Sequence, residues 1–351
     1  MNNDGNRYKI KIADNNKNTF FVNAGKIVLS IGSAPEAQLT DAFDHNNGVT
    51  YINKIYYPSM DDNISLFRSK LASLSTDQRN ILIVGTNAST IELLYIIANT
   101  PAVLQVVNNI TLLSVSGRLP AQISYKQNNA QVDTNLIELA KNGSYNIEML
   151  VDAASKDIAS IAGADVSVPD VDIIIGHTLS LLNSLSENDK KLFYGIHGVQ
   201  LAKIFRRSGT DYKTASNTLT RSGKLHVLKG KLVAIDAEDG TAKLTYTDTV
   251  AGEDIKLKQP FKIVINNTGA EDLLLSPSPL IQSLINNIHA KVNYSGKAFE
   301  VDEKLRAAPN LYIIGPLVGG NYNKLLRFWH LENASRILYL APYLAEELVA
   351  E

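Results

Sequence analysis

Apolar and polar positions change their spacing several times along the chain, and each change predicts an element. Arg7-Tyr8-Lys9-Ile10-Lys11-Ile12-Ala13 alternates polar and apolar, as a half-buried strand does. Asn15-Asn16-Lys17-Asn18 reads as a turn, and Phe20-Phe21-Val22 resumes a strand. Lys26-Ile27-Val28-Leu29-Ser30-Ile31-Gly32 is a short apolar strand closed by glycine. Residues 41–63, rich in Asn and Asp, predict a loop leading into a helix from Ser65 to Leu74. From Asn80 an apolar run gives a buried strand, a tight turn at Gly85, and a helix over Ser89 to Ala98 that stops before Pro101. A strand follows at Ile110 to Val115, and a spacing of roughly thirty residues between strands is that of one βαβ unit.

Between about 130 and 222 the pattern turns helical, with apolar spacing suited to helices at Asp133–Lys141, Ser155–Ala162, Leu179–Leu185 and Glu187–Phe193. Leu225 to Asp236 and Thr241 to Thr247 read as a hairpin turned at Glu238-Asp239-Gly240. A third apolar strand ending in glycine is Phe261-Lys262-Ile263-Val264-Ile265-Asn266-Asn267-Thr268-Gly269. A helix near Pro279 to Ile288 precedes a last strand, Asn310 to Pro316. The chain closes with a helical stretch from Leu326 to Leu348 that Pro342 should kink or divide. Strands alternating with helices predict an α/β architecture around a parallel sheet.

Composition narrows the function classes. The 351 residues suit a large core and two domains. Thirty-four basic residues against thirty-five acidic ones offer no charge argument for nucleic acid or an anionic membrane. The chain has no cysteine, which removes disulfides, thiolate metal sites and a cysteine nucleophile. Met1-Asn2-Asn3-Asp4-Gly5 is polar and no apolar run is long enough to span a bilayer, so the expectation is a cytoplasmic protein. The sequons at Asn87 and Asn333 then carry no glycosylation meaning.

The chemistry-bearing stretches begin with "ILIVGTNASTIELL". It has the outline of a strand, a nucleotide-binding turn and a helix, but Asn87 stands where G-x-G-x-x-G has its second glycine. Gly85 would make the turn, and amides at the helix start would face a pyrophosphate. Thr90 occupies the place of a small residue that lets helix and strand pack. Read from its residues alone, the turn fits a nucleotide site and a structural βα turn equally. At the end of the second strand no acid is present to hold a ribose. Ser116 and Arg118 in Ser114-Val115-Ser116-Gly117-Arg118-Leu119-Pro120 would suit a phosphate, or form a solvated turn. Arg206-Arg207 fits an anion clamp, although adjacent arginines are more often a solvated helix face. The six histidines show no metal-ligand spacing; His330, beside Trp329 and just after a glycine-rich turn, has the only suggestive setting, and a packed or surface histidine is the simpler reading there. No nucleophile elbow, Walker lysine or carboxylate pair supports hydrolysis or phosphoryl transfer.

The order of these segments resembles the two-dinucleotide-binding-domain flavoproteins, FAD/NAD(P)-binding oxidoreductases distantly like flavin monooxygenases. The resemblance covers nearly the whole chain and lies in the succession of segments. Ile27–Gly32 and Val264–Gly269 look like the two crossings between an FAD domain and an inserted NAD(P) domain. "SGRLP", "SLSENDKKLFYGIHGVQLAKIFRR", "SPSPLIQSLI" and "NLYIIGPLVGGNYNK" resemble the family's basic segment, its helical insert and its closing FAD-domain segments.

The resemblance implies a Rossmann-like NAD(P) domain over residues 76–260, with a helical insert at about 130–222. It would be inserted into an incomplete, three-layer β/β/α-like FAD domain formed by 1–75 and 261–351. It implies NADP(H) at Gly85, Thr86, Asn87, Ala88, Ser116 and Arg118. A flavin would lie against Gly32, Gly269, Gly315, Pro316, Gly319 and Gly320. The family's first G-x-G-x-x-G, which grips FAD, has no counterpart before Ile27. FAD would then need that segment from elsewhere, and a homo-oligomer or partner chain would cover the exposed sheet edge. The implied activity is hydride transfer from NADPH to flavin and on to a small substrate or oxygen. The alternative is a non-catalytic nucleotide-binding or assembly protein that has lost the flavin fingerprint.

Overall fold

The computed structural model describes residues 2–3, 7–14, 16–39, 48–127, 131–163, 165–329 and 334–349. Its centre is a seven-stranded sheet in the order Asp254–Lys256, Thr241–Asp248, Leu225–Glu238, Asn109–Ser114, Asn80–Val84, Ile263–Asn266 and Thr50–Ile52. The last five strands run parallel, with Ile81 opposite Ile110 on one side and Ile263 on the other. The expected hairpin adds Thr241–Asp248 antiparallel to Leu225–Glu238, and Asp254–Lys256, which the sequence pattern did not predict, pairs antiparallel beyond it.

The unbroken apolar run at 81–84 now has its reason. Ile81 and Ile83 pack with Phe67, Leu93 and Leu94 on one face, while Leu82 and Val84 pack with Leu244, Phe261 and Val264 on the other. A parallel strand covered on both faces cannot afford alternation. Each such buried Ile or Leu contributes about 1.5–3 kcal/mol.

Several elements depart from their expected bounds. Residues 41–63 do not form one loop: Thr50–Ile52 is the edge strand of the large sheet, and the next helix starts at Met60, well before Ser65. That first turn was illegible because it is polar. Ser59 caps it by accepting from the Asp62 amide, and the buried Asn63 side chain donates to the Ile55 and Tyr57 carbonyls. Residues 40–47 of the same stretch lie outside the described residues. In the insert, helices begin at Ile147 and Val168 instead of Ser155 and Leu179, each started by a side-chain cap from Asn146 or Ser167. A small parallel sheet of Arg207–Ser208, Ala121–Ser124 and Asp165–Ser167 was not expected within this helical region; its strands are too short to carry a period. Pro342 does not divide the last helix, which runs from Ala334 to Val349. The proline removes one bond to the carbonyl of Leu338, a residue 69% exposed and so open to solvent.

Four cores result among the described residues. Two lie on the two faces of the large sheet, and one joins the insert helices through Leu136, Leu150, Ile158, Ile174, Phe193 and Leu201. The fourth unites the chain's beginning with its end: Tyr8, Ile27 and Leu29 pack with Leu284, Phe299, Leu311, Ile313 and Leu340. Here Ile27–Leu29 pairs in parallel with Leu311–Ile313.

Gly85 provides a sharp test of this packing. It has φ +105, and an added Cβ would sit 2.1 Å from the Asn267 carbonyl oxygen. Gly85→Ala should therefore cost about 3 kcal/mol or more, seen as a lower urea midpoint at unchanged slope. Gly143, left-handed but facing open space, should cost only about 1 kcal/mol when changed to Ala.

Candidate functional site

The Gly85 turn is held from three sides. Its amide donates to Leu113 O across the sheet at 2.8 Å. Its carbonyl accepts from the Thr90 hydroxyl at 2.8 Å, and that hydroxyl accepts from the Asn267 side-chain amide at 3.0 Å. Thr90 is fully buried, so a residue that breaks the fingerprint is here the centre of a satisfied polar network. Asn87, the other departure, caps the helix Ala88–Asn99: its Oδ1 accepts from the Thr90 amide at 3.3 Å. That leaves the first amides, at Ala88 and Ser89, as helix-terminal donors able to face an anion. The acid closest along this helix, Glu92, accepts from the Tyr56 hydroxyl. Loss of water and that carboxylate push the Tyr56 pKa up to about 12.

Ser116 and Arg118 form a compact turn after the second strand. Ser116 Oγ accepts from the Arg118 amide at 3.3 Å, and the Gly117 amide donates to Ser114 O at 3.1 Å. Gly117 has φ +60 and lies against Lys229, whose Cβ would be 2.4 Å from a Cβ at 117. The exposed Arg118 thus has a second cation beside its turn.

The two crossing segments meet through a pair of buried asparagines. Asn266 donates to the Ala37 carbonyl and to Asn53 Oδ1, and its own Oδ1 accepts from the Thr268 amide and hydroxyl. Asn267 reaches back to Thr90. Beyond them lies an open cleft of about 490 Å³. Its lining combines Ser33 and Ala34 after the first crossing, Ala270 after the second, Pro316 and Gly319 from the closing turn, and a face of the insert.

The expected flavin glycines divide into two kinds. Gly32 (φ +79), Gly269 (φ +100) and Gly315 (φ +93) end three strands, and a Cβ on any of them would meet only open space. Gly320 is instead packed, with Ser295 Cβ and Gly195 Cα 3.2 and 3.3 Å from its would-be Cβ. It belongs to a close junction with the insert, where the five-residue π turn Phe193–His197 passes over the closing segment. Gly195 there abuts Tyr294, and Gly198 abuts Trp329. These residues, with Asn266 and Asn267, were missed by sequence reasoning. The two glycines spaced three apart in "YGIHG" and the consecutive asparagines ending an apolar strand were the available signals.

Arg206 is exposed, and Arg207 is partly buried in the small sheet, its Nη1 enclosed without a hydrogen-bond partner among the described residues. The arginines thus diverge and form no clamp of two adjacent side chains. His330 and His45 lie outside the described residues. Among the described residues no group of His, Asp and Glu is placed to hold a metal, and no helix is long and apolar enough to cross a membrane.

No protein family model matches the chain. Uncharacterized proteins of Mycobacterium tuberculosis and Mycobacterium bovis are 31% identical to it over 349 residues, which are 98% of this chain and 64% of theirs. The chain therefore spans less than two thirds of the length of these relatives. Among solved structures, a desferrioxamine-pathway cadaverine monooxygenase of Erwinia amylovora bound to FAD superposes with a TM-score of 0.56 at 10% identity, covering 98% of this chain and 65% of that one. An ornithine N-hydroxylase of Kutzneria, with reduced FAD, NADP+ and L-ornithine, gives 0.52 at 13% identity, covering 99% and 69%. The reduced ornithine hydroxylase of Pseudomonas aeruginosa gives 0.51 at 11%, covering 98% and 67%. The fold is the one these monooxygenases share, as the order of segments led us to expect; the Erwinia enzyme carries FAD and the Kutzneria enzyme reduced FAD and NADP+.

The Thr90 network yields a local prediction. Thr90→Val keeps the shape but leaves the Gly85 carbonyl and the Asn267 amide without their partner, and should cost about 1–3 kcal/mol in chemical unfolding. Thr90→Ser, which keeps the hydroxyl, should lose distinctly less.

Proposed function

We propose that the chain is the nucleotide-binding part of an FAD- and NADPH-dependent oxidoreductase acting on a small molecule. One observation carries this reading. Three glycines with positive φ, Gly32, Gly269 and Gly315, each stand directly before a residue that lines one cleft, Ser33, Ala270 and Pro316, and nothing lies within 4 Å of where their side chains would be. A flat ring approaching backbone needs such a surface. The Gly85 turn lies one residue contact away, through Asn267.

In this reading Ala88 and Ser89 amides receive the pyrophosphate of NADPH, with Thr86 and Asn87 shaping the turn. Ser116 and Arg118, with Lys229 beside them, receive the adenosine phosphate. Backbone at Gly32, Gly269, Gly315, Pro316 and Gly319 lies along the flavin, while Trp329 and the insert close the opposite wall. Bound there, the flavin supplies hydride acceptance and, once reduced, reaction with oxygen; the protein supplies orientation and electrostatics. We place the nucleotide-binding unit from about residue 48, since Thr50–Ile52 and the helix Met60–Ala72 share the core of the large sheet. A further segment or partner chain would cover the strand Ile27–Leu29, paired on one side only among the described residues, and the exposed Phe20 and Phe21.

The reading is tested by adding FAD to the purified chain, desalting, and recording the visible spectrum, alongside NADPH and NADH titrations. A retained flavin band, with NADPH binding weakened about tenfold by Arg118→Ala and NADH binding unchanged, is the expected result. A colourless protein that still binds NADPH would leave a nucleotide-binding protein without flavin chemistry. Binding of neither would overturn both.

A further inference from the structure

The 490 Å³ cleft has a chemical bias that the flavin reading does not use. Its insert wall is formed by Gly195, Ile196, Val199, Gln200 and Lys203, positions that recur on a single helical face. That face ends in Lys203. Lys297 lines the same cleft, and its ammonium donates to the Ala270 carbonyl just after the second crossing segment. Gln200, Ser33 and Ser295 add neutral hydrogen-bonding groups, and no Asp or Glu lines the cleft.

Lys203 has no carboxylate partner among the described residues. Loss of water around its ammonium, and the nearby charges of Arg206 and Lys297, hold its pKa below the usual lysine value. For Lys203 these like charges without a carboxylate partner are a cost, and a bound anion would offset it.

We infer that this end of the cleft binds an oxyanion of a small-molecule ligand, with Lys203 and Lys297 as the recognising cations and Gln200 as an auxiliary donor. The inference rests on the proposed site for its setting but requires no bound flavin. An oxyanion could be the carboxylate of a substrate or a phosphate of a dinucleotide, and the two lysines would hold either by charge-assisted hydrogen bonds. The insert would then do more than close the cleft, because its helical face would set which molecules enter.

Trp329 lines the cleft and is the sole tryptophan of the chain, so its emission reads occupancy there. Succinate and pyrophosphate would be titrated separately into the flavin-free full chain at constant ionic strength set with KCl. The inference expects a saturable change in Trp329 emission with one of them, the more effective anion identifying the source. Lys203→Gln and Lys297→Gln should each weaken that response about tenfold, and Lys203→Arg should largely restore it. Circular dichroism of each variant verifies the fold, and both lysine positions are exposed. No saturable change with either anion, or a change that both glutamine variants retain, would overturn the inference. The flavin spectrum, measured independently, would still decide the proposed function.

Discussion

The contact on which the rest depends is the passage of the Asn267 carbonyl over Gly85. The second crossing segment runs so close to the turn that any side chain at 85 would occupy the carbonyl's place. The same residue's side chain then holds Thr90, which holds the Gly85 carbonyl. Turn, helix start and crossing segment are thereby one hydrogen-bonded unit. Asn266, one residue earlier, ties that unit to Ala37 beyond the first crossing. Both asparagines are buried, and a buried amide left unsatisfied costs about 1–3 kcal/mol, so the arrangement tolerates little displacement.

This changes what the altered fingerprint means. In the ordinary pattern a glycine opens space for phosphates and a small residue lets helix meet strand. Here Asn87 serves as a cap, and Thr90 replaces bare packing with hydrogen bonds. The turn's first glycine is needed by the protein's own backbone, whatever it binds. Three of the glycines that face open space follow the strands Ile27–Leu29, Ile263–Asn266 and Leu311–Ile313. A ligand surface is therefore indicated by the cleft more strongly than by the turn that first drew attention to nucleotides.

Charge is distributed to match. Arg118 and Lys229 stand at the Ser116 turn, while Lys203 and Lys297 both line the cleft, although the chain as a whole is nearly neutral. Net charge could not reveal this, because a local field depends on which residues the fold gathers. The insert contributes both a cation and, through Gly195 and Gly198, the close approach that brings its helical face to the closing segment.

Local pattern along the chain was enough to set out the long, strongly periodic pieces. The run at 81–84, the hairpin around Asp239 and the succession of apolar strands ending in Gly32, Gly269 and Gly315 are local patterns, set by burial and backbone freedom. What it could not show was anything made by residues distant along the chain. The edge strand Thr50–Ile52 exists because Ile263–Ile265 offers it a partner, and the small sheet joins strands from 121, 165 and 207. Asn266 and Asn267 read as part of a strand until the fold brought Ala37 and Thr90 to them. Only the tertiary structure decided that Gly320 meets Gly195 while Gly315 meets open space, since a glycine's role depends on what stands where its side chain would be.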